Sequence, residues 1–136
     1  MRNCIMRSGV AQSIFSDLIK MEGAPPRITG VARAWNSECE YAKKELAKAE
    51  QEVKRIESST GPDSEDAKRM IRFFKLRRDF LSAVGGSPNE LAAAETKCRD
   101  WLRQYGAQRK AQSEAFAVRW YLGFLLQRQE IGRAHV

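Results

Sequence analysis

The chain has 136 residues, 43% of them hydrophobic and 30% charged, with a formal net charge of +7. Scarce Pro and abundant Ala, Glu, Lys and Arg exclude a strand-rich or collagen-like chain and predict an all-α fold of one domain, large enough to need no metal or disulfide staple. The surplus of Lys and Arg favours acidic partners, meaning nucleic acid or an anionic surface.

The opening "MRNCIMRSGV" carries Arg2 and Arg7, but Ser8 and Gly9 interrupt it before a signal-type apolar region forms. A first helix is expected over residues 3–22, with Met6, Val10, Ile14, Leu18 and Met21 along one face and Phe15 at its edge. Gly23 is placed to end it, and Pro25 with Pro26 to forbid its continuation.

Thr29 can cap a second helix over 30–58. There Val31, Trp35, Cys39, Ala42, Leu46, Ala49, Val53 and Ile56 follow spacings of 4, 4, 3, 4, 3, 4 and 3. That near-heptad seam is the pattern of coiled-coil or long-bundle packing. Glu40 with Lys44 and Glu50 with Lys54 support the solvated faces at i to i+4 spacing. Ser37 and Glu40 could form a capping box that splits the helix, but Trp35 stays in register with Cys39 and Ala42, which favours one continuous helix.

"SSTGPDSED", residues 58–66, reads as a turn: Gly61 closes one helix, Pro62 blocks it, and Asp63 or Ser64 caps the next, giving an antiparallel hairpin. On the helix over 63–84, Met70, Ile71, Phe73, Phe74, Leu76, Phe80, Leu81 and Val84 cover more than half the circumference. A helix so apolar should be central, with neighbours on at least two sides. Arg77 lies inside the apolar arc, so a carboxylate partner or a local opening to solvent is expected. Lys68, Arg69, Arg72, Lys75, Arg77 and Arg78 make six basic residues without an acid among them.

Gly85 and Gly86 end that helix, and Ser87, Pro88 and Glu90 supply N-cap, first helical residue and capping-box partner for a last helix over 88–128. The Gly-Gly-Ser run lacks the spacing and the Lys of a phosphate-binding loop. Leu91, Ala94, Cys98, Trp101, Leu102 and Tyr105 form its apolar face, and Gly106 predicts a kink or a short break. Residues 115–127, "AFAVRWYLGFLLQ", are apolar almost all round, yet shorter than the roughly 20 residues a bilayer span needs and interrupted by Arg119.

The fold class predicted is therefore an antiparallel helical bundle or coiled-coil hairpin of three long helices plus a shorter N-terminal one. Residues 1–129 form one helical domain in this reading, and residues 130–136, "EIGRAHV", are not native. With one choice of codons, the tail follows the start of a widely used short-read sequencing adapter from the second base of the Glu130 codon onward. On that reading the native sequence continued differently past Gln129. The net charge is unchanged, since Glu130 and Arg133 cancel, and the single histidine, His135, drops out.

Without a histidine, no Ser or Cys has a general base, and no acidic or Cys grouping has metal-ligand spacing, so neither catalytic nor metal residues are assigned and no cofactor is expected. Cys4, Cys39 and Cys98 are widely spaced, which predicts reduced, buried thiols and a cytoplasmic location. Two functions are expected from this pattern. In the first, the protein is a non-enzymatic helical interaction protein, a homo-oligomer or a binder of a helical partner, using the Val31 to Ile56 seam or Phe116, Trp120, Tyr121, Phe124 and Leu125. In the second, Lys68, Arg69, Arg72, Lys75 and Arg78, with Arg103, Arg109 and Lys110, contact the phosphates of DNA or RNA.

Overall fold

The computed structural model describes the backbone of residues 2–134 and the side chains of residues 9–133. The expectations placed on Cys4, Met6 and His135 lie outside the described residues. Six α-helices and no strand occur among the described residues: α1 (Arg2–Lys20), α2 (Pro26–Ala42), α3 (Leu46–Ser58), α4 (Glu65–Ala83), α5 (Pro88–Tyr105) and α6 (Gln112–Ala134). Short 3-10 turns, Pro62–Ser64 and Arg109–Ala111, lead into α4 and α6. Among the described residues no helix is long and apolar enough to cross a membrane. Two compact units divide between Ile71 and Arg72, inside α4.

In the first unit, α1 packs on α2 and α2 on α3. Its buried apolar side chains are mostly small, Ala32, Ala34, Cys39, Ala49 and Ala67, with Ile56 and Ile71 the larger ones. Gly30 has the Cβ of Ala67 within 3.5 Å of where its own Cβ would stand, so α2 approaches the first turn of α4 closely. On α1, Phe15 stacks on Trp35 of α2 with ring centroids 6.2 Å apart. Most of the face expected to pack stays open instead: Val10, Ile14 and Met21 are all more than half exposed, while Leu18 of that face, with Ala11 and Phe15, is half-buried.

Two helix boundaries here correct the sequence reading. Helix α2 starts four residues early, with Pro25 as N-cap and Pro26 in the first turn, where a fixed φ and a missing N–H fit a helix start. Thr29 sits within it and donates to the Pro26 carbonyl. Nor does the helix run on to 58. At its end the Lys44 N–H reaches the Tyr41 carbonyl and the Glu45 N–H the Glu40 carbonyl, while Lys44 takes the left-handed φ of 61°. That is the hydrogen-bond pattern of a Schellman cap, usually closed by glycine. Ser37 caps nothing; its buried hydroxyl donates to the Ala34 carbonyl in mid-helix.

In the second unit the core is larger and aromatic. Leu76, Phe80 and Ala83 of α4 meet Leu91, Ala94, Cys98, Trp101 and Tyr105 of α5, and Ala115, Val118 and Leu125 of α6 complete the layer. Phe80 stacks on Tyr121 with centroids 4.3 Å apart and meets Phe124 edge-on at 5.8 Å. Ser87 caps α5, its Oγ accepting from the Glu90 N–H at 3.3 Å and donating to the Glu90 carboxylate at 3.3 Å.

Of the kink or short break expected at Gly106, the structure has the break, since α5 ends at Tyr105 and α6 begins at Gln112. A Cβ on Gly106 would lie 2.4 Å from the Leu102 carbonyl oxygen, so the position takes no side chain as it stands. Helix α6 then folds back on α5. Its Gln112 amide donates to the carbonyls of Gly106 and Gln108, at 3.1 and 2.7 Å, and Arg119 adds a second contact to the Gly106 carbonyl at 3.4 Å. Farther along, the Gln129 amide reaches the Glu95 carboxylate of α5 at 2.8 Å.

Candidate interaction surfaces

Helix α6 is apolar on both sides, and only one side is used by the core. Ala115, Val118 and Leu125 are fully buried. Opposite them, Phe116 is 75% exposed and Trp120 58% exposed, with Gly123 next on the same face at helical spacing. Nothing stands within 4 Å of where a Gly123 Cβ would be. The outward face is thus two aromatic rings beside an open gap. Trp120 is braced rather than loose, stacked on Phe124 with centroids 5.6 Å apart and set edge-on to Phe80 at 6.1 Å. Arg128 covers Phe124, its guanidinium 5.5 Å from the ring centre.

Of the five residues the sequence grouped as a partner interface, Phe116 and Trp120 face outward. Tyr121 and Phe124 are half-buried against Phe80, and Leu125 is sealed in the core. The Val31 to Ile56 seam is divided between α2 and α3, and Cys39, Ala49 and Ile56 are buried in the first unit. Leu46 remains 55% exposed.

The basic residues of α4 differ widely in their surroundings. Arg69 is buried and held by Asp66 at 2.8 Å, with Arg27 approaching the same carboxylate at 3.6 Å. Arg72 donates to the hydroxyl of Tyr105. Lys75 reaches out to solvent but bonds Asp79 at 2.9 Å, and Lys97 of α5 bonds the same Oδ2 at 3.1 Å. Lys68 and Arg78 are half-buried, whereas Arg109 and Lys110 are exposed. Arg77, expected to need a partner, is half-buried with its guanidinium 5.4 Å from the centre of the Phe74 ring. Arg103 pairs with Asp100 at 2.8 Å, one turn away on the exposed side of α5.

Reading along the chain missed Lys97, Gln104 and Tyr105, which folding brings beside Arg72 and Lys75. They stand more than 20 positions away on a helix whose charges look like ordinary solvated surface, so no local pattern marks them.

Several titratable groups depart from their ordinary ranges. Burial, reinforced by the Glu52 and Glu45 carboxylates, pushes the Glu40 carboxyl up. Its Oε1 accepts from the Asn36 amide at 3.4 Å, but its Oε2 and the Asn36 Oδ1 are buried without a partner among the described residues. Asp79 moves the other way. Burial opposes its ionisation, but hydrogen bonds from Lys75 and Lys97 together outweigh burial and hold it below the usual carboxylate range. Burial raises the Cys39 thiol and pushes Cys98 up to about 11, so neither is an activated nucleophile. No grouping of three or more metal-ligating side chains occurs among the described residues.

Compared with protein-family models, curated proteins and solved structures, the chain matches none.

Proposed function

We propose that this protein is a non-enzymatic helical interaction protein that associates with another protein, in the first instance a second copy of itself, through the outward face of α6. The observation that carries this reading is the exposure of Phe116 and Trp120 opposite the buried stripe of the same helix. Burying either ring is worth about 2 kcal/mol, and aromatic anchors of this kind dominate the energy of protein interfaces. Because Trp120 is already stacked, it loses little side-chain freedom on binding.

Light scattering on the eluting full chain over a concentration series tests this. The expected result is a mass that rises above that of the monomer with concentration, and a Phe116→Ser, Trp120→Ser double variant that stays monomeric with unchanged helical content. A wild-type chain that remains monomeric at high micromolar concentration overturns self-association.

The second reading is a basic helical module that contacts nucleic-acid phosphates, supported by the net charge of +7 and the exposure of Lys75, Arg109 and Lys110. It is weaker, because Arg69 and Lys75 already spend charge on Asp66 and Asp79. A fluorescence titration with generic DNA and RNA at two salt concentrations decides it. Binding should fall steeply with salt, and charge reversal at Arg72 and Lys75 should abolish it.

A further inference from the structure

Between the second half of α4 and the last turns of α5 lies a cleft of about 260 Å³ in the second unit. Leu76 and Trp101, both buried, line its floor, and Arg72, Lys75, Lys97 and Tyr105 stand around it. We propose that this cleft binds a small oxyanion, a phosphate or a carboxylate, carried on an apolar body.

Apart from the carboxylates of Asp79 and Asp100, the hydrogen-bonding capacity of the lining is mainly that of donors. Arg72 donates to the Tyr105 oxygen, which leaves the phenolic O–H to donate elsewhere. Lys75 and Lys97 each spend one bond on Asp79, and an ammonium carries three N–H groups, so each keeps donors for a ligand. Sharing one carboxylate oxygen also holds the two head groups side by side, so little ordering remains to be done on binding. Only Gln104 brings both a donor and an acceptor through an amide.

Charge agrees with this inventory. Three cations line the cleft against two acids, Asp79 and Asp100, and Asp100 is already turned to Arg103. A fully hydrated ion such as free phosphate would gain the charge contacts only. A ligand with an apolar body also covers Leu76 and the edge of Trp101, which favours an aryl phosphate or aryl carboxylate over the bare ion.

Calorimetric titration of the full chain with phenyl phosphate, benzoate and inorganic phosphate tests the assignment. At least one of the two aryl ligands should bind saturably and more tightly than inorganic phosphate, and the tighter of the two identifies the oxyanion. Lys97→Gln should weaken that binding about tenfold, the loss of one charge-assisted hydrogen bond. Leu81→Ala, on an exposed position of α4 that does not line the cleft, should leave it unchanged. If Lys97→Gln lowers helical content, Tyr105→Phe removes the phenolic donor of the same cleft, together with the oxygen that accepts from Arg72, and should weaken binding in the same direction. Absence of saturable binding at millimolar ligand overturns the proposal, as does equal affinity in wild type, Lys97→Gln and Tyr105→Phe. A short single-stranded oligonucleotide that binds here more tightly than either aryl ligand overturns it in favour of a nucleic-acid surface.

Discussion

Glu40 illustrates how one atom can set the pH response of a folded unit. Its Oε2 and the Asn36 Oδ1 are both buried and unmet among the described residues, and burial with repulsion from Glu52 and Glu45 outweighs the attraction of Lys48 and Lys43. Protonation of Glu40 removes the buried charge and creates a donor where two acceptors had none. Because the folded carboxyl titrates above its unfolded value, its contribution is fully present below the ordinary carboxyl range and is lost as pH rises through the folded value. Glu40→Gln should therefore stabilise the protein at neutral pH by about 1 kcal/mol and flatten its stability between mildly acid and neutral pH, measured by urea unfolding. Lys44 allows a second prediction at this scale. An L residue in the left-handed region costs roughly 1 kcal/mol or more, so Lys44→Gly should raise the unfolding midpoint despite the added freedom of the unfolded chain.

Among the helices, what was legible in the sequence was whatever Gly, Pro and Ser punctuate. The turn at Gly61 and Pro62 and the capped start of α5 at Ser87 and Pro88 stand where those residues put them. The wide apolar arc of α4 is buried at Ile71, Phe74, Leu76 and Phe80, but Leu81, expected on the same arc, is 66% exposed. The break after Ala42 was not legible, because a lysine does there what glycine usually does, and nothing in "YAKKEL" announces it. For the same reason the heptad-like spacing across 31–56 misled: periodicity reports which residues can share a face, not whether the helix stays continuous. Of the candidate interface, the outward direction of Phe116 and Trp120 was beyond sequence reach, since an all-round apolar helix does not say which side the core takes. At Gly106 a residue and an element meet. Gly106→Ala should cost about 2 kcal/mol, because the methyl group has to displace the Leu102 carbonyl at the corner where α6 turns back. Thermal unfolding monitored by circular dichroism checks this, with Ala107→Ser at the neighbouring exposed position as the neutral comparison.

For the molecule as a whole, the charge of +7 acts against any contact between copies. Repulsion of this kind is long-ranged and screened by salt, whereas contact between aromatic side chains is not weakened by it. If α6 mediates self-association, raising salt from about 0.05 M to about 0.5 M should strengthen the oligomer in sedimentation velocity runs, and the dependence should vanish in the Phe116→Ser, Trp120→Ser variant. Dissociation on adding salt would instead point to paired charges at the contact. The same salt step separates the two functional readings, because phosphate binding loses affinity where apolar association gains it. Cys98 turns the second unit into its own timekeeper. Its thiol is wholly inside the core and ionises only near a pKa of about 11, so an alkylating reagent has to wait for α5 and α6 to part before it can react. The labelling rate of Cys98 therefore counts opening events, and dividing it by the rate of an unprotected thiol yields the free energy of opening without denaturant.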